Sequence, residues 1–205
     1  MSVCYIIGAG ECKNLKINPK IDDYVICADG GLKYAEKAGI KPNLAIGDFD
    51  SYGKVPSGVE TVVLPCEKDE TDTHFAINLA LEKGYNELRL FGMLGGRPDH
   101  SFANLQLLSY VCQKGARATI FSHDYCATAI KNSVMSFSKN NKGTVSVFSL
   151  SPESKGVTIK GLKYEVNNFS LHSDCPMGVS NEFVGEEAVV SVEDGILLIM
   201  WETQE

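Results

Sequence analysis

Tyr24-Val25-Ile26-Cys27-Ala28-Asp29-Gly30-Gly31-Leu32-Lys33-Tyr34-Ala35-Glu36-Lys37-Ala38 holds the fold in miniature. An apolar run of strand length gives way to an acid and two glycines, and then to a short helical pattern. Strand, turn and helix in that order build a mostly parallel sheet, because a parallel neighbour is reached only through a crossover. The same theme extends on both sides, with Val3–Ile7, Val59–Leu64, Glu87–Phe91 and Ala118–Phe121 read as strands. Thr71–Lys83 carries Phe75, Ala76, Leu79 and Ala80 at helical spacing, and Phe102, Leu105, Leu108 and Cys112 repeat that spacing. Gly84 and Gly115 follow these helices, where glycine commonly closes the last turn.

Beyond residue 125 the period changes to two. Val134–Phe137 and Thr144–Phe148 flank Asn140-Asn141-Lys142-Gly143, which reads as a hairpin. Ala188–Val192 and Ile196–Trp201 flank Glu193-Asp194-Gly195, and Asp-Gly is a strong hairpin signal. The expectation is therefore an α/β N-terminal domain with a mostly parallel sheet over residues 1–125. An all-β sandwich domain follows over residues 126–205.

The 205 residues hold 19 Lys and Arg against 26 Asp and Glu, a formal charge of −7. A hydrophobic share of 44% is enough for a core and too high for a disordered chain. The acidic balance argues against a nucleic-acid partner, whose phosphates attract basic surfaces. The first residues lack the basic and cleavage-site features of a signal peptide, and no apolar run approaches the roughly 20 residues of a membrane span. Seven cysteines show no Cys-x-x-Cys spacing, so neither a disulfide framework nor a zinc site is indicated. The expectation is a cytoplasmic protein with no membrane partner.

Acids gather where the strands end. Asp29 precedes Gly30-Gly31, Asp48 and Asp50 stand in Gly47-Asp48-Phe49-Asp50-Ser51, Asp69 and Asp72 in Asp69-Glu70-Thr71-Asp72, and Asp99 in Gly95-Gly96-Arg97-Pro98-Asp99-His100. In a βα sheet these positions share the carboxyl edge, where ligands bind. Two carboxylates about 5 Å apart repel by roughly 3 kcal/mol at an effective dielectric near 20. A divalent cation turns that repulsion into attraction, and Mg²⁺ favours such hard oxygens. Each acid alone has a plainer reading: Asp72 as a first-turn acid behind an N-cap Thr71, Asp29 as a turn residue, Asp99 as a helix cap. Gly30, Gly95 and Gly96 allow backbone N–H groups close to a phosphate, and Arg97 adds a planar donor fork. His100 reads either as a general base or as a residue positioning its acidic neighbour. No P-loop pattern is present, and Lys13 stands where a dinucleotide fingerprint after Gly8-Ala9-Gly10 needs glycine.

This ordered set resembles that of the thiamine pyrophosphokinases, and so do Gly156–Tyr164 and Gly178-Val179-Ser180-Asn181-Glu182-Phe183 in the second half. The resemblance implies transfer of the pyrophosphoryl group of ATP to the hydroxyl of thiamine, giving thiamine diphosphate and AMP. It implies Asp48, Asp50, Asp72 and Asp99 around Mg²⁺ (or Mn²⁺), with Asp50, Asp72 and Asp99 as catalytic residues. It implies an ATP site at Asp29, Gly30, Gly95, Gly96, Arg97, Asp99 and His100. Asp72, Asn104, Ser180, Asn181 and Phe183 would meet thiamine, in a homodimer with active sites between subunits. The carboxylates alone also suit a Mg-dependent phosphotransferase acting on another alcohol, or a thiamine- or nucleotide-binding module without turnover.

Overall fold

β1 (Cys4–Ile7) is buried along its whole length, as the centre of a parallel sheet must be. The computed structural model describes residues 2–49, 56–65 and 69–203. Contacts divide them into two units: residues up to Leu107 with Ala118–His123, and Leu108–Arg117 with residues from Asp124 on.

In the first unit β1 pairs in parallel with β2 (Tyr24–Ala28) on one side and β5 (Glu87–Phe91) on the other. β3 (Leu44–Gly47) and β4 (Glu60–Val63) continue beyond β2, again in parallel. β6 (Arg117–Phe121) lies beyond β5, so the order is β6-β5-β1-β2-β3-β4. α1 (Gly31–Lys37), α2 (Asp72–Glu82) and α3 (Pro98–Gln113) follow β2, β4 and β5. The chain runs outward from β1 through β2 to β4 and then returns to β5 on the other side. That reversal leaves a crevice between β1 and β5 at their carboxyl ends, the usual ligand position in open α/β sheets.

The turn after β2 needs special residues. Asp29 takes a left-handed φ of 49°, and its N–H donates to the Ile46 carbonyl of β3 at 2.7 Å. A Cβ on Gly31 would fall on the Ile7 carbonyl oxygen, so α1 starts this close to β1 only because position 31 is glycine. Tyr5, Ile7, Val25, Cys27, Leu32 and Ala35 form a core cluster, with Leu15, Ile17 and Tyr34 packed against it. The buried thiols of Cys4 and Cys27 are pushed up to about 12 by burial and behave as small apolar groups.

The second unit holds two antiparallel sheets. One has the order β12 (Asn181–Glu182), β9 (Thr144–Ser149), β14 (Ile196–Glu202), β7 (Tyr125–Lys131). The other runs β11 (Val166–His172), β10 (Glu153–Lys160), β13 (Ala188–Ser191), β8 (Val134–Phe137). Val145, Val147, Leu197 and Ile199 from the first join Phe137, Val157, Ile159 and Val190 from the second in one core. Both expected hairpins are corrected here. β8 pairs with β13 rather than β9, and β14 pairs with β7 and β9 rather than β13. The turns at 138–143 and 192–195 carry the chain from one sheet to the other. A strand with one apolar face can satisfy it across the core as well as beside a hairpin partner.

Candidate active site

The loops after β1 and β5 meet above the sheet. Gly8 N–H donates to the Phe91 carbonyl, Gly10 N–H to Gly92, and Glu11 N–H to Leu94, each at 2.8 Å. They wall a cleft of about 440 Å³ on the β1–β5 crevice, completed by the turn after β2 and the start of α2. Asp29, Asp72, Gly95, Gly96, Arg97, His100 and Asn104 of the expected site all line it. The rest of the wall includes Glu11 and Tyr34, which sequence reading did not single out. Glu11 had a signal: it follows Gly8-Ala9-Gly10 at the end of a strand sharing this edge.

Asp29 is the electrostatic centre of the described part. Burial raises its pKa; the Gly30 N–H opposes that, and the nearby Asp72 and Asp48 carboxylates raise it further. Its buried Oδ1 has no hydrogen-bond partner among the described residues. Asp72 is held in the first turn of α2, where the Thr71 hydroxyl caps the helix by accepting from the His74 N–H at 3.2 Å. Asp48 follows β3 directly. Asp50 lies outside the described residues. Among the described residues, no three His, Cys, Asp or Glu side chains stand close enough to hold a metal ion as they are. The donor set nevertheless fits a hard divalent cation: carboxylate oxygens only, one of them buried and orphaned.

Asp99 is placed differently from the other acids. It sits exposed in the first turn of α3, and its carboxylate takes both Arg97 Nε, at 3.2 Å, and Nη2, at 2.5 Å. That Arg97 hydrogen bond holds the Asp99 carboxyl below the usual carboxylate range. Arg97 and His100 face the cleft, while Asp99 grips the guanidinium beside it. Asn104 is buried and donates from Nδ2 to the Met93 carbonyl at 2.7 Å, tying α3 to the loop after β5. Gly30 caps α1.

Ser180, Asn181 and Phe183 belong to the second unit. Ser180 is exposed with a φ of 57°, and its N–H donates to Ser146 Oγ at 3.1 Å. The Asn181 amide is committed to backbone, accepting from the Tyr164 and Glu182 N–H groups and donating to the Tyr164 carbonyl. Phe183 packs on the second core, edge-on to Phe137 with ring centroids 5.1 Å apart.

Residues 19–120 match the family model described as thiamin pyrophosphokinase, catalytic domain, and residues 133–197 match thiamin pyrophosphokinase, vitamin B1 binding domain. The Bacillus subtilis thiamine pyrophosphokinase is 29% identical over 96% of this chain and 97% of its own. A crystal structure of a thiamin pyrophosphokinase family protein from Enterococcus faecalis superposes with a TM-score of 0.84 at 27% identity over the whole of both chains. The crystal structure of the B. subtilis protein gives a TM-score of 0.87 over the whole of both chains. At 24% identity it speaks for the fold.

Proposed function

The chain belongs to the thiamin pyrophosphokinase family, and from that premise we propose that it transfers the pyrophosphoryl group of ATP to the hydroxyl of thiamine. The observation that carries this reading is that Asp29 and Asp72 line a glycine-walled crevice at the reversal of strand order, with Asp48 near enough to Asp29 to disfavour its charge. Carboxylates crowded there are unfavourable alone and suit a triphosphate accompanied by Mg²⁺. Asp48 and Asp72, with Asp50 and Asp99 by resemblance, would hold Mg²⁺, which supplies charge neutralisation for the phosphate oxygens. The thiamine oxygen attacks the β-phosphorus in line, a new P–O bond forms, the bridge to the α-phosphate breaks, and AMP leaves. Asp72 or Asp50 takes the hydroxyl proton. Asp29, Gly30, Gly95 and Gly96 frame the phosphate path beside Arg97 and His100. Positioning and charge supply most of the catalysis in such transfers.

Thiamine is assigned to Asp72 and Asn104 together with Ser180, Asn181 and Phe183 from a partner subunit. Met177, Val179 and Val184 support a homodimer, since all three apolar side chains are more than half exposed around that segment. No helix among the described residues is long and apolar enough to cross a membrane, and we place the protein in the cytoplasm. Incubation with ATP, Mg²⁺ and thiamine, followed by mass identification of both products, tests the reading. Thiamine diphosphate with AMP supports it, whereas ADP means ordinary phosphoryl transfer, and no turnover with intact binding means a binding module.

A further inference from the structure

Gly8 to Asp23 crosses from β1 to β2 with no helix or strand of its own. Structureless connections longer than about 12–15 residues are uncommon inside compact domains and are usually functional. This one is anchored at its start by the Gly10 and Glu11 N–H groups, and further on by Leu15 and Ile17 packed against the first core cluster. Between it and the second half of α1 lies a separate cavity of about 170 Å³. Tyr34 is the shared wall, lining this cavity on one side and the 440 Å³ cleft on the other.

The cavity's chemistry differs from the cleft's. Leu15, Tyr34 and Ala38 give it apolar and aromatic surface, Asn14 offers one amide, and Lys13, Lys16 and Lys37 stand around it with no carboxylate among the lining side chains. At 1.5 Å per helical residue, Tyr34 to Ala38 lie about 5–10 Å along α1 from its start at the acidic cleft. That span is on the scale of a nucleotide reaching from its phosphates to its base. The volume is too small for a whole ligand of drug size, for which pockets run to about 300–1,000 Å³. It suits one flat ring system.

Resting on the ATP reading above, we propose that this cavity holds the nucleobase of ATP, stacked on Tyr34, with the Asn14 amide meeting the amino-bearing edge of adenine. Aromatic faces are the common platform for bases, and an Asn amide matches the donor–acceptor pair that adenine presents at N6 and N7. Tyr34 keeps its ring in place through the core beneath it. The lysines add attraction for the anionic nucleotide in a chain of formal charge −7.

Calorimetric titration of the full chain with AMP, with Mg-ATP and with Mg-tripolyphosphate separates base from phosphate binding. Tyr34→Leu should weaken AMP and Mg-ATP roughly 5- to 150-fold, the equivalent of about 1–3 kcal/mol of base stacking, and leave Mg-tripolyphosphate unchanged. Tyr34→Phe should restore both nucleotides. Asn14→Ala, at an exposed position, should erode the preference for AMP over GMP without touching the core. Equal weakening of all three ligands by Tyr34→Leu would place the contribution of Tyr34 on the phosphate chain in the cleft and overturn the proposal. Unchanged AMP affinity in a Tyr34→Leu protein that still makes thiamine diphosphate would overturn it while sparing the functional reading. A wild type that binds no nucleotide would overturn both.

Discussion

Asp29 shows how one residue can be bad for the fold and good for the site. Its folded pKa is raised, so the native state holds the proton more tightly than the unfolded chain. Stability therefore falls as pH rises from the ordinary carboxylate value of about 3.9, and the full penalty is present once the pH has passed the raised native value. Asp29→Asn should raise the melting temperature at pH 7 in cation-free buffer by about 2–4 °C. That corresponds to roughly 1 kcal/mol, the order of repulsion between like charges about 4 Å apart when water fills the space between them. The gain should disappear at pH 3; a variant less stable than wild type at pH 7 would contradict the reading. Asp72→Asn should keep the fold, since Thr71 still caps α2, but lower turnover at least about 100-fold in the product assay. Asn181→Ala should act first on the fold of the second unit. Losing three hydrogen bonds to Tyr164 and Glu182 should cost about 2–3 kcal/mol in a urea titration, leaving nucleotide affinity unchanged. Asp29 and Asp72 were legible in the sequence because the first ends an apolar run beside glycine and the second stands at a helix start, whereas Glu11 was passed over. Asp99's grip on Arg97 was not legible, because a side chain two residues away gives no sign of where it turns.

Elements carry their own lessons. The loops after β1 and β5 pack backbone to backbone, and Gly92 makes this possible: its φ is +64°, and a Cβ there would fall on the Gly8 carbonyl oxygen. Gly92→Ala should destabilise by about 1–3 kcal/mol and raise the KM for ATP, because the cleft floor must shift. An unchanged KM with unchanged stability would show the loops to be slack. The parallel sheet was readable from buried runs such as Val3–Ile7, where composition alone announces a central strand. β3 was missed because Leu-Ala-Ile-Gly holds a single β-branched residue and no aromatic one to mark it as a strand. β10 and β11 escaped for another reason: Gly156 interrupts the first, and their pairing shifts register between Ser154 and Val157 and again before Ile159. The two misread hairpins share one cause. Asp194-Gly195 correctly marks a reversal, with Gly195 N–H donating to Asn132 Oδ1 at 2.8 Å, but a reversal does not say whether the next strand pairs or crosses the core. Only the partner's register settles that, and partner choice is non-local.

On the scale of the whole molecule, a formal charge of −7 has two separable effects. Diffuse repulsion among scattered surface acids is relieved by any salt, because the screening length falls to about 8 Å at physiological ionic strength. The Asp29–Asp48–Asp72 convergence is different: part of it is buried, and screening reaches it poorly. Sodium chloride and magnesium chloride at equal ionic strength should therefore act unequally. Both supply the screening; only magnesium is a divalent ion that the orphaned carboxylate oxygen can coordinate. A cation present at 100 times its dissociation constant adds about 2.7 kcal/mol. For a chain of this length that is about 5–11 °C of melting temperature beyond the sodium control. The excess should shrink sharply in Asp72→Asn, which leaves the remaining acids of the chain in place. If the two salts gave the same curve, or if Asp72→Asn kept the full magnesium excess, the carboxylates of the cleft would be ordinary surface charges.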